Sequence, residues 1–155
     1  MTAKKIASIL TYAFKNNHVL FVCGNGGSAS QANHFVAEFV CKFEYNRDPL
    51  PAISLCANQS NLTAIANDYG YKYVFSRQLL ALAKKGDVFI TLSTSGKSEN
   101  CNHALGVAKE MGMVIIDFPR KGVGAAKVQE YQLKLMHDIC RLVEYEFIGI
   151  NDGFI

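Results

Sequence analysis

The sequence predicts an α/β fold: a Rossmann-like, three-layer sandwich in which a parallel sheet is flanked by helices. Three observations carry the prediction. Short apolar runs at 18–23, 50–56, 88–92 and 113–118 alternate with stretches of helical periodicity, as strands do when each returns through a helical crossover. The runs are rich in Val, Leu, Ile and Phe, as strands buried on both faces are. Two of them run directly into loops of glycine and hydroxyl residues, 24–28 and 93–98, at the carboxyl ends of strands, where ligands bind in such sheets.

Taken in order, residues 2–16 form an amphipathic helix, because Ile6, Ile9, Leu10 and Phe14 keep helical spacing with lysines between them. The first strand, 18–23, breaks at Gly24-Asn25-Gly26-Gly27-Ser28, and a helix follows from 28 to 43. Arg47-Asp48-Pro49 is loop, and the second strand, 50–56, opens with Pro51 where a strand tolerates it. Residues 58–71 are polar, with Asn67-Asp68-Tyr69-Gly70 as a turn signal. A helix over 74–83 and the turn 84–87 lead to the third strand, 88–92. Ser93-Thr94-Ser95-Gly96-Lys97-Ser98 is a second polar loop before a helix over 99–111, whose exit is marked by Gly112. The fourth strand is 113–118, 119–124 is loop, and a long C-terminal helix covers 125–147. The tail from 149 to 155 carries no strong signal. A chain of 155 residues without repeats or low-complexity tracts is read as a single domain, 1–155.

Composition narrows the function. Half the residues are apolar and 19% are charged, enough for a core without staples. A net charge of +3 suits an acidic small molecule, and the dispersed Lys and Arg, without stacking aromatics, give no nucleic-acid signature. The five cysteines, Cys23, Cys41, Cys56, Cys101 and Cys140, are odd in number and form no CxxC pair, so they read as reduced, mostly buried thiols of a cytoplasmic protein. The amino terminus is no signal peptide, and no apolar run approaches membrane-spanning length.

Each motif has a chemical and a plain reading. In 24–28, adjacent glycines let backbone N–H groups crowd an oxygen-rich ligand, with Asn25 and Ser28 adding donors. The plain alternative is a strand-to-helix turn capped by Ser28. The loop is neither GxGxxG nor GxxxxGK[ST], so a nucleotide cofactor is not expected. In 93–98, four hydroxyls and a glycine exceed what capping needs and suit a phosphate at a helix N-terminus. His34 and Glu38, four apart, share a helix face. They suit a metal, or an acid and base at one substrate, or form an ordinary i,i+4 pair. In the last helix, Gln129, Glu130 and His137 are polar islands, and helical geometry aligns Glu130 rather than Gln129 with His137. Asp68 can meet a substrate hydroxyl or simply lie in a turn. Lys42 and Arg47 can meet an anion, though isolated surface cations are usually just solvated, and His18 and His103 read as structural or surface residues.

The segments GNGGSASQANHFVAEF, LTAIANDYGYKYVFSRQ, GDVFITLSTSGKSEN and VQEYQLKLMHDICRLVE, in this order, resemble the phosphoheptose isomerases, SIS-domain proteins that interconvert sedoheptulose 7-phosphate and D-glycero-D-manno-heptose 7-phosphate on the way to bacterial surface heptose. The resemblance runs from 18 to 144. It implies a homotetramer with active sites between subunits. It places sugar contacts on Asn25, Gly26, Gly27 and Ser28, with Asn67, Asp68 and Gln129. It places the phosphate on Ser93, Thr94, Ser95 and Ser98. Glu38 becomes the proton-transfer base and His137 its acid/base partner. Zinc-containing members imply the ligands His34, Glu38, Gln129 and His137, which selects Gln129 over Glu130. Whether Glu38 acts as base, as zinc ligand or as both is left open by the resemblance.

The chain also departs from the family. Its amino-terminal helical region is short, Phe118 reaches Gln129 without the family's further glycine-rich loop and strand, Ala125-Ala126-Lys127 replaces the usual lead into the Gln-Glu motif, and Lys42 stands where an arginine is common. These departures motivate an alternative: a non-catalytic SIS-domain protein that binds a sugar phosphate or a replication-initiation partner. Partners are otherwise expected to be a sugar phosphate and further copies of the chain, with neither nucleic acid nor membrane.

Overall fold

The structure, a computed structural model, describes residues 1–149; residues 150–155, the end of the expected domain 1–155, lie outside the described residues. The elements are α1 (Ala3–Lys15), β1 (Leu20–Gly24), α2 (Gly27–Val40), β2 (Ala52–Ser54), α3 (Gln59–Tyr69), α4 (Ser76–Leu82), β3 (Val88–Leu92), α5 (Glu99–Glu110), β4 (Val114–Ile116) and α6 (Ala125–Ile148). A 3-10 turn, Tyr71–Tyr73, joins α3 to α4.

The four strands form one parallel sheet in the order β2-β1-β3-β4. The period-2 alternation of strand side chains divides the core in two. Leu20 and Val22 of β1, with Val88, Ile90 and Leu92 of β3, face the layer made by α1, α2 and α6, where Ile6, Leu10, Phe35, Phe39, Met136 and Ile139 pack. Phe21, Cys23 and Phe89 point to the opposite layer, against Val74, Phe75, Leu79, Cys101 and Ala104 of the α4 and α5 side. All five residues of both central strands are buried. The edge strands β2 and β4 have three residues each and expose one apolar side chain apiece, Ile53 and Val114. The expected three-layer parallel sandwich is therefore present.

The chain order fixes where a ligand can sit. From β1 it passes through α2 to β2 on one side, then crosses to β3 on the other. The crevice where strand order reverses lies between the ends of β1 and β3, and the register there pairs Gly24 with Leu92. A Cβ on Gly24 would come within 2.8 Å of Leu92 O and of Ser28, so only glycine allows the two loops to leave the sheet this close together.

Several boundaries differ from those expected. Residues 58–71 are not an irregular polar stretch. Asn58 caps α3 by accepting from Asn61 N at 3.0 Å, and Leu62, Ile65 and Ala66 pack partly buried against the second core. Gly70 ends the helix at φ 100°, so Asn67 and Asp68 belong to its last turn rather than to a turn of their own. Helix α2 begins at Gly27 rather than Ser28. Its N-cap is Gly26, at φ 55°, with no side-chain capping bond, and Ser28 lies buried in the first turn. The same helix stops at Val40 rather than Phe43, because buried groups further along the chain claim the backbone that would continue it. Strand β2 is shorter than expected, Ala52–Ser54. Between β4 and α6 the described chain has no strand. The loop there is held by Gln132, whose Nε2 donates to Pro119 O at 3.2 Å.

Candidate active site

Helix α2 carries His34 and Glu38 one turn apart, and His34 Nε2 lies 2.7 Å from Glu38 Oε1. Helix α6 packs beside it and brings His137 to the same spot. The two imidazoles meet edge-on with centroids 5.3 Å apart. One ligand atom each from His34, Glu38 and His137 lies within 4.8 Å of the others. Two imidazoles and a carboxylate are the donors of a catalytic zinc centre, so the trio fits such an ion.

Residues that the sequence did not nominate hold this trio. Phe43 stacks on His137, with centroids 5.5 Å apart and ring planes at 24°. Glu144, only 1% exposed, accepts from the N–H groups of Phe43, Glu44 and Tyr45 at 3.0, 2.7 and 2.9 Å. Its carboxylate also faces Arg47 Nε at 3.3 Å. Arg47, expected to be a solvated cation, has a side chain only 4% exposed. Its guanidinium donates to the carbonyls of Glu38 at 2.6 Å and Phe39 at 2.9 Å. It therefore closes the C-terminal end of α2 where the last carbonyls lack helical partners. Lys42 is exposed.

Gln129 and Glu130 go separate ways. Glu130 pairs with Lys127 at 2.8 Å on the exposed face. Gln129 faces α2: its amide is what a Cβ on Gly27 would strike, and its backbone carbonyl accepts from Gln31 Nε2 at 2.8 Å. Gln129 and His137 are eight residues apart on one helix, ~12 Å of rise. Gln129 of the same chain therefore stands at the glycine loop, about two turns from the trio.

The two loops face each other across the crevice. Ser93 Oγ accepts from Gly96 N at 3.0 Å and Ser95 Oγ from Lys97 N at 3.1 Å, which leaves both O–H groups free to donate. Ser98 is the N-cap of α5 without a side-chain capping bond, and Thr94 is half-buried. The side-chain amide of Asn25, expected to offer donors to a ligand, is engaged with Asn100, Cys101 and Tyr71. Beneath the loops, burial pushes the Cys23 thiol well up, while a hydrogen bond from that thiol holds Cys101 low. Asn67 Nδ2 donates to Asp68 Oδ1 at 2.8 Å on the exposed end of α3. His18 and His103 are structural. The first lies 3.4 Å from buried Asp87, and the second is bonded to Ser76 Oγ at 2.9 Å. All five cysteines are free; Cys41 is exposed and Cys56 half-buried.

The fold and its paired loops define a SIS-domain protein, and the sequence profile of the SIS domain matches residues 2–118. The chain is 42% identical to the phosphoheptose isomerase of Campylobacter concisus, over 87% of this chain and 80% of the relative. It is 43% identical to that of Clostridium acetobutylicum, over 94% and 83%. Among solved structures, the phosphoheptose isomerase of Neisseria gonorrhoeae superposes with a TM-score of 0.85 at 32% identity, covering 92% of this chain and 84% of that one. That of Francisella tularensis gives 0.86 at 28% identity, covering 91% and 84%. The chain belongs to the phosphoheptose isomerase family.

Proposed function

We propose that this protein is an aldose–ketose isomerase that converts sedoheptulose 7-phosphate to D-glycero-D-manno-heptose 7-phosphate in the cytoplasm, as a step toward bacterial surface heptose. The observation that carries this reading is the convergence of His34, Glu38 and His137 from two helices in a chain about two-fifths identical to phosphoheptose isomerases. No feature of the site favours a non-catalytic binding role.

Moving the carbonyl from C2 to C1 requires a proton taken from C1, an enediolate held, and a proton returned to C2. Glu38 takes the proton from C1 and returns it to C2. His137 moves the second proton between the two oxygens. The phosphate rests on the hydroxyls of Ser93, Thr94, Ser95 and Ser98 and on the N-terminus of α5. The backbone of Gly26 and Gly27, with Ser28, Gln129, Asn67 and Asp68, lines the sugar. His34, Glu38 and His137, joined by Gln129, would hold zinc, which when bound polarises the carbonyl and stabilises the enediolate.

Within one chain, His34 and Glu38 lie seven and eleven residues beyond Gly27, ~10 and ~16 Å along the axis of α2. A heptose phosphate held by the loops of that chain would have to span this distance. The offset supports a homotetramer in which neighbouring chains complete each other's sites, and it lets Gln129 join the trio from a second chain.

Incubation with sedoheptulose 7-phosphate is expected to yield the aldose, and Glu38→Gln to lower kcat by about 10³-fold. Elemental analysis of the same preparation is expected to find zinc near one equivalent per chain. Absence of turnover in the wild type, or full turnover in the variant, would sink the isomerase reading. A metal content far below stoichiometry would remove zinc from it.

A further inference from the structure

We infer that the side-chain amide of Asn25 serves the reaction as a hub that joins the segments around the substrate, and that Asn100 and Tyr71 are positioning residues acting through it. The inference rests on the isomerase reading and deepens it.

The amide of Asn25 is fully committed. A primary amide offers two N–H donors and two acceptor lone pairs. Asn25 Nδ2 donates to Asn100 Oδ1 at 2.9 Å and to Cys101 Sγ at 3.8 Å. Asn25 Oδ1 accepts from Asn100 Nδ2 at 2.9 Å and from the Tyr71 hydroxyl at 3.0 Å. Each atom of the side-chain amide thus has partners within the protein. Asn100 is 3% exposed, and its Oδ1 also accepts from Cys101 N at 2.9 Å. The reciprocal amide pair is therefore part-buried and tied to the first turn of α5.

The three residues come from the three segments that surround the substrate. Asn25 sits in the glycine loop after β1. Asn100 lies two residues past Ser98 of the hydroxyl loop, and Tyr71 follows α3, which carries Asn67 and Asp68. Each segment leaves a different element, and the amide of Asn25 is where they join. The distance between the phosphate end and the sugar end of the crevice is thus set by hydrogen bonds spanning 75 and 46 residues of sequence. Loosening that junction leaves every ligand hydroxyl in place but lets the carbon under attack drift from the acid/base groups. A displacement near 1 Å costs on the order of 10²-fold in rate.

The test is a double-mutant cycle. Tyr71→Phe removes one hydroxyl from a side chain that is 58% exposed, so the fold is expected to tolerate it. Asn100→Leu keeps the approximate volume and removes the amide. The expected results are a fall in kcat/KM of about tenfold for Tyr71→Phe and about 10²-fold for Asn100→Leu. The Ki for inorganic phosphate as competitive inhibitor should be unchanged in Tyr71→Phe. In the Asn100→Leu background, Tyr71→Phe should have no further effect, because its anchor is already loose. Independent, additive effects, a phosphate Ki that rises in step with KM, or a Tyr71→Phe enzyme equal to wild type would each overturn the hub. If Asn100→Leu does not fold, the kinetics and phosphate Ki of Tyr71→Phe decide alone. Lack of turnover in the wild type is a different result, and it overturns the isomerase reading itself.

Discussion

At the residue scale, the proposed acid/base groups are held by a buried ion pair two contacts away. Glu144 fixes the backbone at Phe43, and the Phe43 ring lies on His137. Arg47, facing Glu144, holds the carbonyl of Glu38. One carboxylate thus positions both members of the proposed proton-transfer pair. Removing it takes the acceptor from three part-buried backbone N–H groups and the counter-charge from a buried guanidinium. Glu144→Ala is expected to destabilise the chain by about 3–5 kcal/mol, measured by urea unfolding. An unchanged midpoint would show that the carboxylate carries no such burden. This arrangement was not legible in the sequence. Arg47 sits in an Asn-Arg-Asp-Pro stretch that reads as loop, and its partner is 97 positions away. His34, Glu38 and His137 stood out as polar groups on apolar helices, but spacing alone pointed to Glu130 beside His137. Only the resemblance chose Gln129, and Glu130 turns outward to Lys127.

At the element scale, the strands and most helices could be read because each repeats one pattern over several residues. Helix α3 could not. It has no buried residue, and its composition is that of a loop, so periodicity was too weak to reveal it. Its start was nonetheless written in Asn58 and its stop in Gly70. The end of β1 is the element boundary with least tolerance. Gly24→Ala would push a Cβ against Leu92 O and Ser28, all at 2.8 Å. Two of these neighbours are backbone atoms that cannot swing aside, so a loss of about 3 kcal/mol is expected. Urea unfolding of Gly24→Ala checks it, and wild-type stability would mean that β1 and β3 can part at their ends.

At the scale of the whole molecule, a single chain leaves work undone. Helix α3 buries nothing fully, Tyr69, Tyr71, Leu80 and Leu82 are more than half exposed, and the His34, Glu38 and His137 trio lies turns away from the glycine loop of its own chain. Light scattering is expected to give a mass about four times the 17.1 kDa of one chain; a monomer would leave each site incomplete. Composition and periodicity do not announce such an assembly, because an interface can have the same composition as a surface facing solvent; only the family resemblance implied it.

The three-residue edge strands have a further consequence, for solubility. A sheet edge is a row of unpaired backbone donors and acceptors that can recruit another chain by simple strand addition. Here each edge offers only three residues before the backbone leaves the sheet, too few to template a growing fibril, while the longer strands are enclosed on both sides. The architecture that brings two loops together at its centre thus also keeps its margins too short to propagate.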